Sequence, residues 1–511
     1  MKSGRAAVIG AGLGGLSAAV RLASAGLRVE VFEKNGGPGG KANNLECGGY
    51  RFDTGPSLLT LPSVLEQLFE EAGEKLEDHL DPVKLDIICR YFYHDGTVID
   101  AYSDAGRFGD EVEKKTGDFA ESVRRYLEYC RKIYEITYQT FLYHCLCEPS
   151  RIFSPDTWKA VLRVGGIDFN RTMDQANRSF FRDPKTVQLF NRYATYNGSD
   201  PYVTPATFNL IQHVEYNIGG YAVKGGIYSI PREIYRLARR KGVVFHFDTE
   251  VERIIHSGGR VRGIRVSGEE IPFDIVVSNS DVSVTYRDLL NDTESGPAKR
   301  YAKLEPSSSA IVFYWGMKKS FPSLEVNNIF FSPDYPAEFE DIFRKRRVPR
   351  DPTVYINITS KVDPGDAPEG GENWFVLVNA PYDEGQDWEE ERKSARDGAI
   401  RRISEALGED IEPLISCEDH LDPILIEKRY GTLHGSIYGI SSNTKGAAFM
   451  RQQNRSKRYK GLYFASGSAH PGGGMPLVIL SGKITSDLIL KQSKQNKNNH
   501  SVFNQSIEHR P

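Results

Sequence analysis

Residues 6–33, AAVIGAGLGGLSAAVRLASAGLRVEVFE, admit few folds. A short apolar strand, a glycine turn, an amphipathic helix and a second strand tipped by a carboxylate follow one another in a single run. Gly10 permits the sharp turn after the strand Ala6–Ile9, Gly12 lets backbone approach a pyrophosphate, and Gly15 lets helix and strand pack closely. Leu16, Ala19, Val20 and Ala23 recur at i, i+3, i+4 and i+7, which predicts a helix closed by Gly26. Its N-terminus, with unpaired N–H groups and a positive dipole end, suits an anion. Glu33 ends the strand Arg28–Phe32, where a carboxylate accepts hydrogen bonds from an adenosine ribose. Such glycine triplets are common in loops, but here strand, helix and acid stand in register. The unit reads as a dinucleotide-binding start.

At 511 residues the chain suggests two or three domains of about 150 residues each. Its 39% hydrophobic content supplies packed cores. With 65 Lys and Arg against 68 Asp and Glu the net charge is −3, and no long basic run occurs, so no nucleic-acid partner is expected. Of six cysteines only Cys145 and Cys147 lie close together, at a spacing that suits neither zinc nor a redox pair. All six read as reduced cytoplasmic thiols, and no metal site is expected. The basic, then apolar, N-terminus has the outline of a secretory leader, yet its glycines and acid-tipped strand mark mature protein. No apolar run reaches the length of about 18 residues that a spanning helix needs.

Beyond Glu33 come a second glycine loop, Gly36 to Ala42, and the run Gly48 to Ser57. Residues 60–215 carry aromatics and long helical patterns, such as Asp118 to Phe141. Strand patterns return at Val243–Phe247, Val251–His256, Arg260–Ser267 and Asp274–Ser278, which predicts a discontinuous first domain. Residues 285–430 are mixed, with strands expected at Ala310–Trp315, Thr353–Ile358 and Trp374–Asn379 and a helix at Glu389–Leu407. One more buried strand, 461–467, precedes the helical pattern Pro476–Leu490 and a polar tail expected to be disordered.

Taken together, Gly10 to Gly15, Gly39-Gly40-Lys41-Ala42, Phe52 to Ser57, Gly225-Gly226-Ile227 to Pro231, Asp363-Pro364 to Gly370, and Ala469-His470-Pro471 to Pro476 resemble the flavin-dependent amine oxidase and carotenoid desaturase superfamily. The bacterial-type phytoene desaturases are the most similar. The stretch Arg192 to Ser199, with Pro201-Tyr202 and His213-Val214-Glu215, resembles the branch of hydroxycarotenoid 3,4-desaturases. The resemblance implies an α/β fold: a discontinuous Rossmann-type FAD-binding domain (1–85, 219–284, 431–490), a helical, membrane-contacting region (86–218), a mixed α+β substrate domain (285–430) and a tail (491–511). It implies FAD, with Gly10, Gly12, Leu13, Gly14 and Gly15 at the pyrophosphate and Glu33 at the adenosine ribose. Lys34, Gly40, Lys41, Gly55, Pro56 and Ser57 would stand nearby, Val251 at the adenine, and Gly467 with Ser468 at the ribityl chain. The helix starting at Met475, Pro476 and Leu477 would aim its positive end at the flavin ring. Many flavoproteins carry Gly-Asp where this chain has Gly467-Ser468, and a neutral hydroxyl is the weaker acceptor.

The implied reaction is FAD-dependent desaturation of an acyclic carotenoid, 1-hydroxylated or not, by hydride transfer to flavin and loss of a proton. Such chemistry asks mainly for orientation and exclusion of water. Glu215, His213 and His470 are the candidate bases, each with a structural alternative as a paired carboxylate or satisfied histidine. Arg192, Tyr193 and Tyr196 are candidates for the substrate wall. Oxygen or a quinone would take the electrons. A carotenoid of about 40 carbons costs on the order of 30 kcal/mol to hydrate, at about 0.8 kcal/mol per carbon, so the chain is expected on the cytoplasmic face of the membrane. The apolar run Phe141–Ile167, with Trp158 and Leu162 among Arg151, Lys159 and Arg163, is the expected contact. Alternatives are another phytoene- or lycopene-type desaturase, a carotenoid isomerase, a soluble amine oxidase, or a flavin-free lipid escort.

Overall fold

A computed structural model describes residues 4–138, 142–143, 164–444 and 451–507. The opening unit forms as expected: β1 (Arg5–Ile9), α1 (Leu13–Ser24) and β2 (Arg28–Phe32). β1 pairs in parallel with β2 on one side and with Ile275–Ser278 on the other, while Val244–His246 and Leu462–Phe464 complete a five-stranded parallel sheet. Its strands come from opposite ends of the chain. Val8, Val31 and Val277 are fully buried, as a parallel sheet covered on both faces requires. α1 buries Leu16, Ala19 and Val20, and fully burying a Leu or Val side chain contributes about 1.5–3 kcal/mol. The Ser17 hydroxyl on α1 donates to the Ile479 carbonyl at 2.7 Å, tying α1 to the last helix, Met475–Ile507. That helix continues past Leu490, so the stretch 491–507, expected to be disordered, is helical. Extending a formed helix gains a backbone hydrogen bond per residue fixed, which polar residues can exploit as well as apolar ones.

A second, seven-stranded sheet runs in the order Ile415–Leu421, Ser309–Met317, Glu372–Ala380, Val354–Asn357, Asn327–Phe330, Ile87–Phe92, Val98–Tyr102. Its last two strands correct the expected organisation, which placed them in the helical region 86–218. Ile87–Phe92 pairs in parallel with Asn327–Phe330, far away in sequence, and Arg90 Nε holds Asp100 Oδ1 at 2.6 Å across the hairpin. Side chains alternate across this sheet. Ile311, Phe313, Val354 and Val376 pack beneath the helix Trp388–Leu407, whereas Val312, Ile329, Tyr355 and Leu377 face a cavity on the other side.

The helices Ala120–Thr137, Met173–Phe180 and Pro184–Asn191 pack into a separate aromatic core with Tyr91, Tyr193 and Phe331, and a π-helical turn follows at His213–Ile218. No helix among the described residues is long and apolar enough to cross a membrane. Of the nominated membrane-contacting run, only Leu142, Tyr143 and residues 164–167 are described; Leu142 and Tyr143 pack against the core of the first domain. The rest, like Cys145 and Cys147, lies outside the described residues.

Candidate active site

One cavity of about 790 Å³ joins the glycine turn of the first domain to the open face of the second sheet. At its first end stands the N-terminus of α1. Gly12 caps it without a side chain, so its first turn opens into the cavity. The glycines are demanded by the protein's own packing. A Cβ on Gly12 would lie 2.5 Å from Asn279 Oδ1, one on Gly14 2.4 Å from the Ala465 carbonyl, and one on Gly15 2.3 Å from the Gly10 carbonyl. Gly10, Gly12, Leu13 and Gly14 border the cavity, while Gly15 serves helix–strand packing behind them.

Asn279 is a residue that the motif reading missed. Its Oδ1 accepts from Gly12 N at 3.0 Å and its Nδ2 donates to the Ala465 carbonyl at 2.5 Å, so it ties the glycine turn to the ends of two neighbouring strands. Glu33 borders the cavity and is buried; one oxygen accepts from Ala11 N at 2.7 Å, the other from Asn35 N at 2.9 Å and Asn35 Nδ2 at 2.7 Å. Lys34 Nζ donates to the Lys428 carbonyl at 2.9 Å, and Val251 stands in the same wall.

The second glycine loop brings Gly40 and Lys41 against this turn. Lys41 Nζ donates to the Ile437 carbonyl at 2.6 Å, and burial pushes its ammonium down from 10.5 to about 8. Gly55, Pro56 and Ser57 continue the wall, with Gly55 packed so closely that a Cβ would meet the Lys41 carbonyl at 2.2 Å. Across the cavity, Gly467, Ser468, Met475 and Pro476 line the start of the last helix; Leu477 packs instead against the core of the first domain. The Ser468 hydroxyl is engaged by Val282 N at 2.9 Å. Arg451, also missed, lies buried behind this segment and donates to the carbonyls of Gly467 and Ile440, both at 3.1 Å. Burial lowers its guanidinium to about 10.

Two helix N-termini, each carrying a positive partial charge, and the Lys41 ammonium therefore face one elongated cavity, with Arg451 buried behind its wall and the Asp281 carboxylate attracting both cations. This donor set fits an anionic dinucleotide with an electron-accepting ring. Glu33 brings to it a carboxylate, an acceptor of the kind a hydroxyl-rich ligand pairs with.

At the other end, Arg192, Thr195, Tyr196 and Glu215 enter the cavity wall. Arg192 Nη2 contacts Glu215 Oε1 at 3.1 Å; Tyr193 donates to the same oxygen at 2.6 Å and Tyr196 to Oε2. His213 does not reach the cavity: its ring packs on Tyr134 with centroids 4.7 Å apart, Nδ1 meets Asn217 Nδ2 at 2.6 Å, and burial lowers its pKa. His470 is buried between the last strand and last helix, where its carbonyl accepts from Asn454 and Ser481, and it too stays outside the cavity lining. Of the three candidate bases only Glu215 stands in the wall. Among the described residues no cluster of His, Cys, Asp and Glu with metal-binding geometry occurs.

Comparison with known proteins matches residues 13–490 to the flavin containing amine oxidoreductase family. The chain is 44% identical over 485 residues to a 1-hydroxycarotenoid 3,4-desaturase of Flavobacterium sp. (strain P99-3), covering 95% of this chain and 99% of that one. It is 34% identical to a zeta-carotene-forming phytoene desaturase of Myxococcus xanthus, over 95% and 94% of the two chains. Among solved structures an oxidoreductase from Methanosarcina mazei shares the fold with a TM-score of 0.63 at 17% identity, over 94% of this chain and 99% of that one.

Proposed function

We propose, from the premise that the chain belongs to the flavin containing amine oxidoreductase family, that it is an FAD-dependent desaturase which introduces a carbon–carbon double bond into an acyclic carotenoid. The observation that carries this reading is the end-to-end 44% identity to a 1-hydroxycarotenoid 3,4-desaturase. In this reading Gly10, Gly12, Leu13 and Gly14 present the α1 N-terminus to the pyrophosphate, Glu33 holds the ribose, and Lys34, Gly40, Lys41 and Val251 close the adenosine half. Gly55, Pro56 and the backbone of Ser57, with Gly467, Ser468, Met475 and Pro476, hold the other half. Bound FAD would supply the hydride acceptor.

The chain's own contribution is positioning. Val312, Ile329, Phe375 and Leu377 offer a dry wall against which an extended hydrocarbon can lie, excluding water and aligning the carbons that lose hydrogen. Glu215, with both oxygens engaged by Arg192, Tyr193 and Tyr196, reads as part of the binding wall more than as a proton acceptor. A substrate this apolar is collected from a bilayer, so the reading includes contact with the membrane surface, and oxygen or a quinone as the final acceptor.

The test is co-expression in cells that make acyclic carotenoids, hydroxylated and not. Extracted pigments are expected to absorb at longer wavelength, with products lighter by two hydrogens. An unchanged pigment profile across all of these substrates would overturn the reading.

A further inference from the structure

The end of the cavity away from α1 is polar where a hydrocarbon channel has no need of polarity. Arg192 is 7% exposed and Glu215 is 1% exposed. The guanidinium lies among the rings of Tyr91, Tyr193 and Tyr196, with ring centroids 5.2, 4.2 and 5.4 Å from its central carbon. Its Nε donates to Tyr91 Oη at 2.8 Å, and its Nη2 reaches Tyr193 Oη and Glu215 Oε1, both at 3.1 Å. Nη1 has no hydrogen-bond partner among the described residues. Beside this cluster a second polar chain crosses the wall: Ser57 Oγ lies 2.6 Å from Tyr355 Oη, which donates to Asn327 Oδ1 at 2.7 Å. The Tyr355 proton is thus spent on Asn327, Ser57 must be the donor to Tyr355, and the lone pairs of Ser57 remain available.

Around these groups the wall carries apolar Leu58, Ile88 and Ile329 beside the polar Asn327, Thr353 and Asn379. Withdrawing an ion pair from water costs about as much as its attraction returns, and well-packed hydrocarbon side chains of similar volume often hold a fold as well or better. The cluster therefore points to a ligand. It offers a donor at Arg192 Nη1 and acceptors at Glu215 and Ser57 Oγ, and an aliphatic hydroxyl needs one of each.

We infer that this cluster binds the terminal hydroxyl of a hydroxylated acyclic polyene, selecting it over the hydrocarbon of the same length and fixing which carbons are presented for oxidation. The inference rests on the desaturase reading above and deepens it. Placement agrees with the chemistry. Ser57 is two residues from Gly55, which packs on the Lys41 carbonyl in the cofactor cradle. In the name of the 44% identical relative, the hydroxyl is on carbon 1 and the new double bond joins carbons 3 and 4. Two carbon–carbon bonds separate carbon 1 from carbon 3, so a site that seats the hydroxyl also places the reacting bond.

The experiment compares kcat/KM of the purified, FAD-loaded protein, in liposomes, for a 1-hydroxylated acyclic carotenoid and its non-hydroxylated counterpart. The parent is expected to prefer the hydroxylated substrate by about tenfold or more, since a buried polar site left unpaired rejects the analogue that lacks the hydroxyl. In the double variant Arg192→Met/Glu215→Met, which removes both charges together, the preference collapses to within about twofold of unity. Tyr196→Phe, which leaves the ion pair in place, reduces the preference part of the way. If the double variant lacks the parent's flavin spectrum, Tyr196→Phe alone decides. A preference unchanged in the variants, or equal losses on both substrates, overturns the inference while leaving the desaturase reading intact. Conversion of neither substrate by the parent overturns both.

Discussion

At the scale of single residues, the glycine turn is built against itself as much as around a ligand. Gly15 is the clearest case, since a methyl there would sit 2.3 Å from the Gly10 carbonyl and the backbone cannot yield without unseating β1. Gly15→Ala is expected to destabilise the protein by about 1–3 kcal/mol, read as a lower urea midpoint at unchanged slope. Lys41 makes a different prediction. Its ammonium falls from 10.5 to about 8 on folding because burial penalises the charge. Below pH 8 folded and unfolded chains both hold the proton; between 8 and 10.5 the folded chain has released it while the unfolded chain retains it. The contribution of this group to stability therefore rises with pH across that window. The flavin-free parent should gain stability relative to Lys41→Met between pH 8 and 10, measured as the difference in denaturation midpoints, and a flat difference would contradict the burial of this side chain.

At the scale of elements, function depends on joints between strands and helices. Asn279, just past the strand Ile275–Ser278, bonds to both Gly12 N and the Ala465 carbonyl. Asn279→Ala leaves the half-buried Gly12 N–H and the Ala465 carbonyl without this partner, at about 1–3 kcal/mol each when water cannot replace it. A flavin titration followed by fluorescence quenching should show FAD affinity lowered by about tenfold, the equivalent of 1.4 kcal/mol. The π-helical turn His213–Ile218 is another joint. Residues two apart on a helix point to nearly opposite sides, so Glu215 enters the cavity wall while His213 faces Tyr134. That division explains why two candidate bases two residues apart end in different surroundings.

At the scale of the whole molecule, one cavity reaches from the parallel sheet to the seven-stranded sheet, and a ligand that fills its first end joins segments from both ends of the chain. FAD is therefore expected to raise the melting temperature, with stabilisation of about 2.7 kcal/mol at a hundredfold excess over Kd. Riboflavin, lacking pyrophosphate and adenosine, should stabilise less at equal concentration; equal effects would argue against the α1 cradle as the pyrophosphate site. The cradle was legible in the chain itself because its constraints are local: glycines at fixed offsets, a 3.6-residue apolar period and an acid at a strand end act over thirty residues. The motifs shared with the family extended that legibility to Gly39–Ala42, Gly55–Ser57 and Met475–Pro476. What only the tertiary structure decided are the partners that meet across long separations. Arg451 lies in no motif of the family resemblance, yet it is 5% exposed and bonded to the carbonyls of Gly467 and Ile440. The strand Ile87–Phe92 joins the second sheet through Asn327–Phe330, and Arg192 finds Glu215 across a buried wall. A residue's neighbours along the chain carry little record of such pairings, because burial and hydrogen-bond partners are set by how distant segments pack.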